Sequence, residues 1–297
     1  NQFNKDFIEV DKRINLLYSA LEGKVLRVFP IPADENNKWV SFPELAEANF
    51  KGTDSLYVNN VLPLYFRSMR LGKTTQDYGE ADELLESLKG FQQRFGSEVI
   101  PSKDRVAAEI TYNKYDIFKK LFSWYLYVGF FFFVLLIIQI FKDSKTIRSA
   151  ILFFKGIAFL LFALHTAGLA ARWFISGHAP WSDAYESMIY VAWATVLFGI
   201  LFGRKSNLTF AATTFVASMI LMIAHWNWMD PAIANLQPVL DSYWLMIHVA
   251  VIVGSYGPFP LSMIIGIVAL FLILMTTTKN KSRMDLNIKE LTIINEL

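Results

Sequence analysis

Between residues 123 and 275 apolar residues run in long blocks, whereas before residue 122 they recur singly among charges. In the stretch QDYGEADELLESLKGFQQRFG, Leu84, Leu85, Leu88, Phe91 and Phe95 fall at helical spacing and make one stripe on a polar helix. Further helices are expected around Phe7–Leu21 and Asp54–Leu71, with Pro30, Pro32, Pro43 and Pro101 punctuating the segments between them. Five blocks of membrane length follow: Ser123–Phe141, Ala150–Trp173, Ser187–Phe202, Leu208–His225 and Tyr243–Met275. About 20 residues at a rise of 1.5 Å cross a bilayer core, so the last block is too long for one straight crossing. Gly254, Gly257, Pro258 and Pro260 predict a kink within it. The expected fold is mainly α: a mostly helical extracytoplasmic domain over 1–122, then a polytopic helical membrane bundle of about five segments over 123–297.

Charge sharpens this division. Residues 1–122 hold 17 of the 28 Lys+Arg and 18 of the 26 Asp+Glu, leaving 11 and 8 for the remaining 175 residues. The net charge of +2 gives no argument for a nucleic-acid partner. The absence of cysteine excludes disulfides, thiolate metal sites and thiol nucleophiles within the chain. Basic residues set the orientation: Lys142, Lys145 and Arg148, then Arg204 and Lys205, then Lys279, Lys281 and Arg283 all share one side if the segments alternate. That side is expected to be the cytoplasm. Residues 1–122 and the loops 174–186 and 226–242, which contain no Lys or Arg, then face outward. The chain begins Asn-Gln-Phe without a signal-peptide pattern and stops at INEL, as a piece of a longer product would.

Candidate chemistry lies in four histidines, none of them in the first 122 residues. With the expected topology His165, His178, His225 and His248 all collect toward the outer face. An ionisable group in an apolar segment usually has a job or a partner. Imidazole is a common axial ligand of haem iron, so an outward-facing haem site is the sharp possibility. Helix packing or snorkelling is the plain alternative, and the more frequent one for His178 and His225 taken alone. His165, Gly168 and Arg172 share a helix face. An iron ligand beneath a propionate partner, beside a glycine that leaves room, suits that arrangement, and ordinary helix packing suits it equally. Trp173, Trp181, Trp226, Trp228 and Trp244 are expected at the outer interface as an aromatic belt, with Trp244 on the face of His248. Asp183 and Glu186 have the spacing of an N-cap and a reciprocating acid, and Gly199 and Gly203 form a GxxxG contact motif.

The stretches ALHTAGLAARWFISGHAPWSDAYESMIYVAWATVLFGILF and LQPVLDSYWLMIHVAVIVGSYGPF closely resemble CcsA-type cytochrome c biogenesis proteins, and more specifically the fused CcsB–CcsA cytochrome c synthases of system II. The YES motif (Tyr185, Glu186) and the SYWL-x-IHV motif carry the likeness, which covers roughly 105–297. The resemblance implies a multi-pass protein of the bacterial inner membrane whose soluble domain is periplasmic. Such a protein receives haem b on the outer side, holds its iron between paired histidines, and joins its vinyl groups to the Cys-x-x-Cys-His thiols of apocytochrome c. Haem binding is then inseparable from catalysis, with thiol-reducing proteins as further partners. The family's axial histidine in the IHV motif is His248 here, and Trp244, His165, Arg172, Tyr185 and Glu186 become candidates for the haem environment. The second ligand and the WWD segment lie downstream in the family, so this chain alone is expected to be inactive. Asp183 departs from the family's Asn before YES. The competing classes are a b-type haem electron carrier and a non-enzymatic membrane scaffold.

Overall fold

The computed structural model describes residues 2–203, 206–226, 229–234, 236, 242–278 and 280–296, with side chains from residue 5 onward. Arg204, Lys205, Trp228 and Lys279, invoked above, lie outside the described residues. The chain divides into two compact units, Asn1–Ser102 and Lys103–Leu297.

The first unit contains α1 (Gln2–Leu21), a hairpin of β1 (Arg27–Pro30) and β2 (Trp39–Ser41), a 3-10 turn (Phe42–Glu47), α2 (Gly52–Thr75) and α3 (Gly79–Gly96). The hairpin is an addition to the expected helices. Its strands are antiparallel, with Phe29 opposite Val40, and both side chains are buried. They join Leu45, Val58, Val61, Leu88 and Phe91 in one core. The stripe read on α3 divides accordingly. Leu88 and Phe91 are buried, Leu84 and Phe95 pack against the core, and Leu85 is exposed. Phe91 stacks on Tyr57 of α2 at 5.1 Å between ring centroids.

The second unit comprises α4 (Lys103–Tyr115), α5 (Ile117–Phe141), α6 (Lys145–Ser176), α7 (Ala184–Phe202), α8 (Asn207–His225), α9 (Tyr243–Ser255), α10 (Pro258–Leu274) and α11 (Lys281–Asn295). Among the described residues five runs are long and apolar enough to cross a membrane: Lys103–Phe141, Lys145–Ser176, Ala184–Phe202, Asn207–His225 and Tyr243–Leu274. The protein is thus a multi-pass helical membrane bundle. The charge step near residue 122 falls inside this unit, because the polar α4 packs on α6. Between α4 and α5, Asp116 takes a left-handed backbone conformation at φ 43°.

The bundle is organised around α8, which packs against both α5 and α7. More than half of its buried positions are small or hydroxylated, among them Ala211, Ala212, Thr213, Thr214, Ala217 and Ser218. Thr213, Thr214 and Ser218 return their hydroxyls to carbonyls one turn earlier, so polar atoms are buried with partners. The GxxxG on α7 meets this surface. A Cβ on Gly199 would stand 2.3 Å from Thr213 Oγ1, closer than any real contact. Gly199→Leu is therefore expected to destabilise the bundle by about 1–3 kcal/mol through overpacking. Unfolding of the purified variant in a graded denaturing detergent checks this, and a midpoint equal to that of the parent would refute it.

The kink expected in the last span separates α9 from α10 at Tyr256 and Gly257. Gly257 lies against α7, where a Cβ would come within 2.9 Å of Thr195 N. Beyond it the tail is helical: α11 folds back along α10 and buries Met284 and Leu291. Ser262 Oγ donates to Asn295 Oδ1 at 2.6 Å near its far end. The helices alternate in direction. The α5–α6, α7–α8 and α10–α11 turns share one end of the bundle, called here the Asp143 end. The α6–α7 loop and the segment before α9 share the other, the Asp183 end.

Candidate functional site

At the Asp183 end, α6 stops on Gly177, whose φ of +79° is the left-handed conformation glycine adopts without strain. The short loop that follows ends on Asp183, whose Oδ1 accepts from Glu186 N at 2.6 Å and starts α7. This is the expected N-cap. Burial raises the Asp183 carboxyl above the usual aspartate range, against the opposing pull of the Glu186 N–H and the Arg172 charge. Glu186 sits in the first turn and faces α6. Its Oε1 accepts from Arg172 Nε at 2.7 Å, with both side chains shielded from solvent. Its Oε2 accepts from Ser182 N at 2.9 Å, one residue before the position a reciprocating acid would use.

Arg172 is the hub of this end. Nη1 donates to Pro231 O at 2.9 Å and lies 3.5 Å from Tyr112 Oη, while Nη2 donates to Ala232 O at 3.1 Å. The guanidinium also lies over the Tyr185 ring, 5.2 Å from its centroid. One side chain on α6 thus ties together α4, α7 and the segment that leads into α9. A buried ion pair persists only where its remaining donors and acceptors are matched, and here all three guanidinium nitrogens have protein acceptors.

His165 lies deeper, eleven residues inside Ser176, or about 16 Å along the helix. It is fully buried, with Nε2 3.0 Å from Ile189 O and Nδ1 without a partner among the described residues. Phe118 and Tyr125 enclose the ring at centroid distances of 5.4 and 5.9 Å. Beside Gly168, where room for a ligand and helix packing were equally open, a Cβ would meet Ile117 and Phe118 at 3.1 Å, which is close packing. His165 and Arg172 do share a face, and each is engaged by the protein around it.

The other three histidines are at the Asp183 end. His225 closes α8 and is partly buried. His178, in the α6–α7 loop, has Nδ1 3.2 Å from Ala179 O and Nε2 3.2 Å from Ala234 O. Near it Trp181 Nε1 donates to Met246 O of α9 at 3.2 Å. Trp181 also continues a row of rings, Trp173–Trp181–Tyr190–Trp193–Phe162, with neighbouring centroids 4.9–5.8 Å apart. The tryptophans expected as a belt are therefore partly a packed ladder along α6 and α7.

His248 differs from His165 in every respect. α9 has no buried residue, and His248 is exposed on it beside Trp244, which is 77% exposed. Together with Leu245, Ile247 and Val251 they line an open recess of about 580 Å³. An imidazole thus stands on an otherwise apolar face with an indole one turn away. Among the described residues no three His, Cys, Asp or Glu side chains come together to hold a metal ion. A lone imidazole suits a metal whose other ligands arrive with it.

Sequence reasoning did not foresee Tyr112, Ser182, Pro231 and Ala232 at the Arg172 hub, nor the Trp181–Met246 link. Four of these contacts are made by backbone atoms, for which no side-chain pattern signals the partner. Tyr112 offered a cue, as one of two tyrosines on the mostly polar α4.

Residues 181–297 match the family model described as cytochrome C assembly protein. The chain is 34% identical over 295 residues to the protein NrfI of Wolinella succinogenes, covering 99% of this chain and 32% of that protein. It is 32% identical over 155 residues to the cytochrome c biogenesis protein CcsA of Lobularia maritima, covering 48% of this chain and 44% of that protein. To the CcsA of Synechococcus sp. (strain CC9902) it is 36% identical over 145 residues, 44% of this chain and 45% of that protein. The chain thus spans a third to somewhat under half the length of these relatives.

Proposed function

Because the chain belongs to the CcsA-type cytochrome c biogenesis family, we propose that it presents haem for covalent attachment to apocytochrome c, with His248 as an axial ligand of the haem iron. The observation that carries this is the exposed imidazole of His248 on the apolar recess of α9. Haem is the substrate. A porphyrin brings four in-plane nitrogens to its iron, so the protein needs to add only axial donors, and a single outward imidazole with a flat apolar flank fits that need. Trp244, Ile247 and Val251 offer the ring an apolar surface. The second axial donor comes, in this account, from another part of the full-length protein.

The haem contributes the vinyl carbons, to which the Cys-x-x-Cys-His thiols of the substrate add. Each S–H adds across one C=C bond, forming a thioether without net oxidation. With no cysteine of its own here, the chain does not compete for the vinyl groups. Its work is to hold and orient. In this assignment His165 is a packing residue, and Arg172, Tyr185 and Glu186 fix the helix ends that carry the site. Thiol-reducing proteins keep the substrate's cysteines reduced.

The Asp183 end, with His248, faces the periplasm of a bacterial inner membrane, as the system II assignment requires. The support is the basic residues Lys142, Lys145 and Arg148 at the Asp143 end. In whole cells a membrane-impermeant thiol reagent is expected to label Thr75→Cys and spare Thr278→Cys, both exposed positions. The reverse pattern would overturn the orientation. Incubating the haem-loaded full-length protein with a Cys-x-x-Cys-His peptide tests the function itself. Haem that passes covalently to the peptide supports the synthase. Haem that stays bound indicates an electron carrier, and a protein that never acquires haem indicates a scaffold.

A further inference from the structure

The helix that bears His248 is held from one side. Leu245, Met246, Val249, Ala250, Val253 and Gly254 are the half-buried positions of α9 and form a single stripe, and α7 is the helix it packs against. His248 lies on the opposite side, exposed. Contacts at the start of α9, near its end and at the bend beyond fix the stripe to α7 and the loop before α7. At the start, Trp181 Nε1 donates to Met246 O at 3.2 Å, in a first turn that Ser242 does not cap with its side chain. Near the end Tyr190 closes on Gly254, where a Cβ would stand 3.4 Å from the Tyr190 hydroxyl. At the bend, Gly257 meets the backbone of Ala194 and Thr195.

The two aromatic side chains that touch α9 are braced from behind. The rings of Trp181 and Tyr190 are 4.9 Å apart between centroids. Tyr190 stacks on Trp193 at 5.7 Å, and Trp193 stacks on Phe162 of α6 at 5.7 Å. Trp193 Nε1 also donates to Thr166 Oγ1 of α6 at 2.8 Å. Trp181 and Tyr190 are thus the outer end of an aromatic strut rooted in α6, and rings with two rotatable bonds each hold a distance well. His248 lies nine residues before Gly257, about 13 Å along the helix, so a tilt of about 10° at the bend carries the imidazole about 2 Å. A binding constellation tolerates only about 0.5 Å.

We propose that Trp181 and Tyr190 are positioning residues: they set the tilt of α9 and thereby where His248 meets the haem iron. The tilt stands on the contacts of the strut; its consequence for haem rests on His248 as ligand. Loss of the Trp181 N–H frees the first turn of α9, and a side chain at Gly254 wedges the helix away from Tyr190. Either change moves the imidazole and leaves its chemistry intact.

The test compares the full-length parent with Trp181→Phe, which keeps a ring beside Tyr190 and loses the N–H, and with Gly254→Leu. Nitroxides on Leu160→Cys of α6 and Tyr243→Cys of α9, both exposed positions, report the tilt of the haem-free protein by double electron–electron resonance. Each variant is expected to shift or broaden the distance distribution by about 3–4 Å, the travel of the α9 tip for the same tilt. Haem affinity should fall about tenfold in both, and free imidazole should restore the b-type signal, as when a ligand is displaced. Adding His248→Ala to Trp181→Phe should lower affinity no further than His248→Ala alone. Unchanged distances in both variants overturn the strut. Additive losses in the double variant, or a Trp181→Phe protein that holds haem as the parent does, overturn its coupling to His248. If the distances move while His248→Ala keeps the parent's haem, the ligand assignment fails and the strut stands.

Discussion

Arg172→Ala is expected to destabilise the membrane unit by about 3–5 kcal/mol, because it leaves Glu186 charged and buried without its partner. Pro231 O and Ala232 O lose their donors in the same step. Glu186→Ala should cost a similar amount for the converse reason: a fully buried guanidinium loses its counter-charge. The pair Arg172→Met with Glu186→Leu removes both charges and should be less damaging than the sum of the single changes. Its recovery is partial, since Ser182 N and the two carbonyls stay unmatched. Denaturing-detergent titration of the four proteins gives the cycle. Additive losses, or single losses below about 0.5 kcal/mol, would show that the pair does not hold this end together.

His248→Ala should behave in the opposite way. The side chain is exposed on α9, so the variant is expected to fold and accumulate normally, within about 0.5 kcal/mol of the parent. Covalent cytochrome c formation by the full-length protein, in cells without another assembly system, should fall at least about tenfold on loss of an iron ligand. Trp244→Ala should lower the yield less, since it removes flank and not donor. His165→Ala supplies the contrast: it empties a buried site and removes the ring's contact to Ile189 O, so it should lower the amount of folded protein. Equal yields from His248→Ala and the parent would remove the central residue from the account.

The spans were legible in the sequence because membrane crossing is a matter of length and composition, which local sequence carries in full. The kink was legible from Gly257 and Pro258, and the α7–α8 contact from Gly199, since a missing side chain is itself a message about approach distance. The hairpin Arg27–Ser41 was not. Its strands are four and three residues long and bounded by prolines that read as linker punctuation. The role of Arg172 was half legible. Its position on the face of His165 could be counted, but three of its partners lie about 60 residues away in the chain, and two of those are carbonyls. At Gly168 room for a ligand and helix packing stood equally open, because a glycine signals closeness without naming what comes close, here Phe118. His248 was singled out by its apolar setting and its motif. Its exposure depends on how α9 docks through Trp181 and Gly257, which no local pattern records.

The most direct test is a reduced-minus-oxidised spectrum of the full-length, detergent-purified protein, parent beside His248→Ala, with and without added imidazole. A b-type haem signal is expected in the parent, with its loss in His248→Ala and its return when imidazole fills the vacated coordination position. The same haem signal in both proteins without imidazole would contradict it.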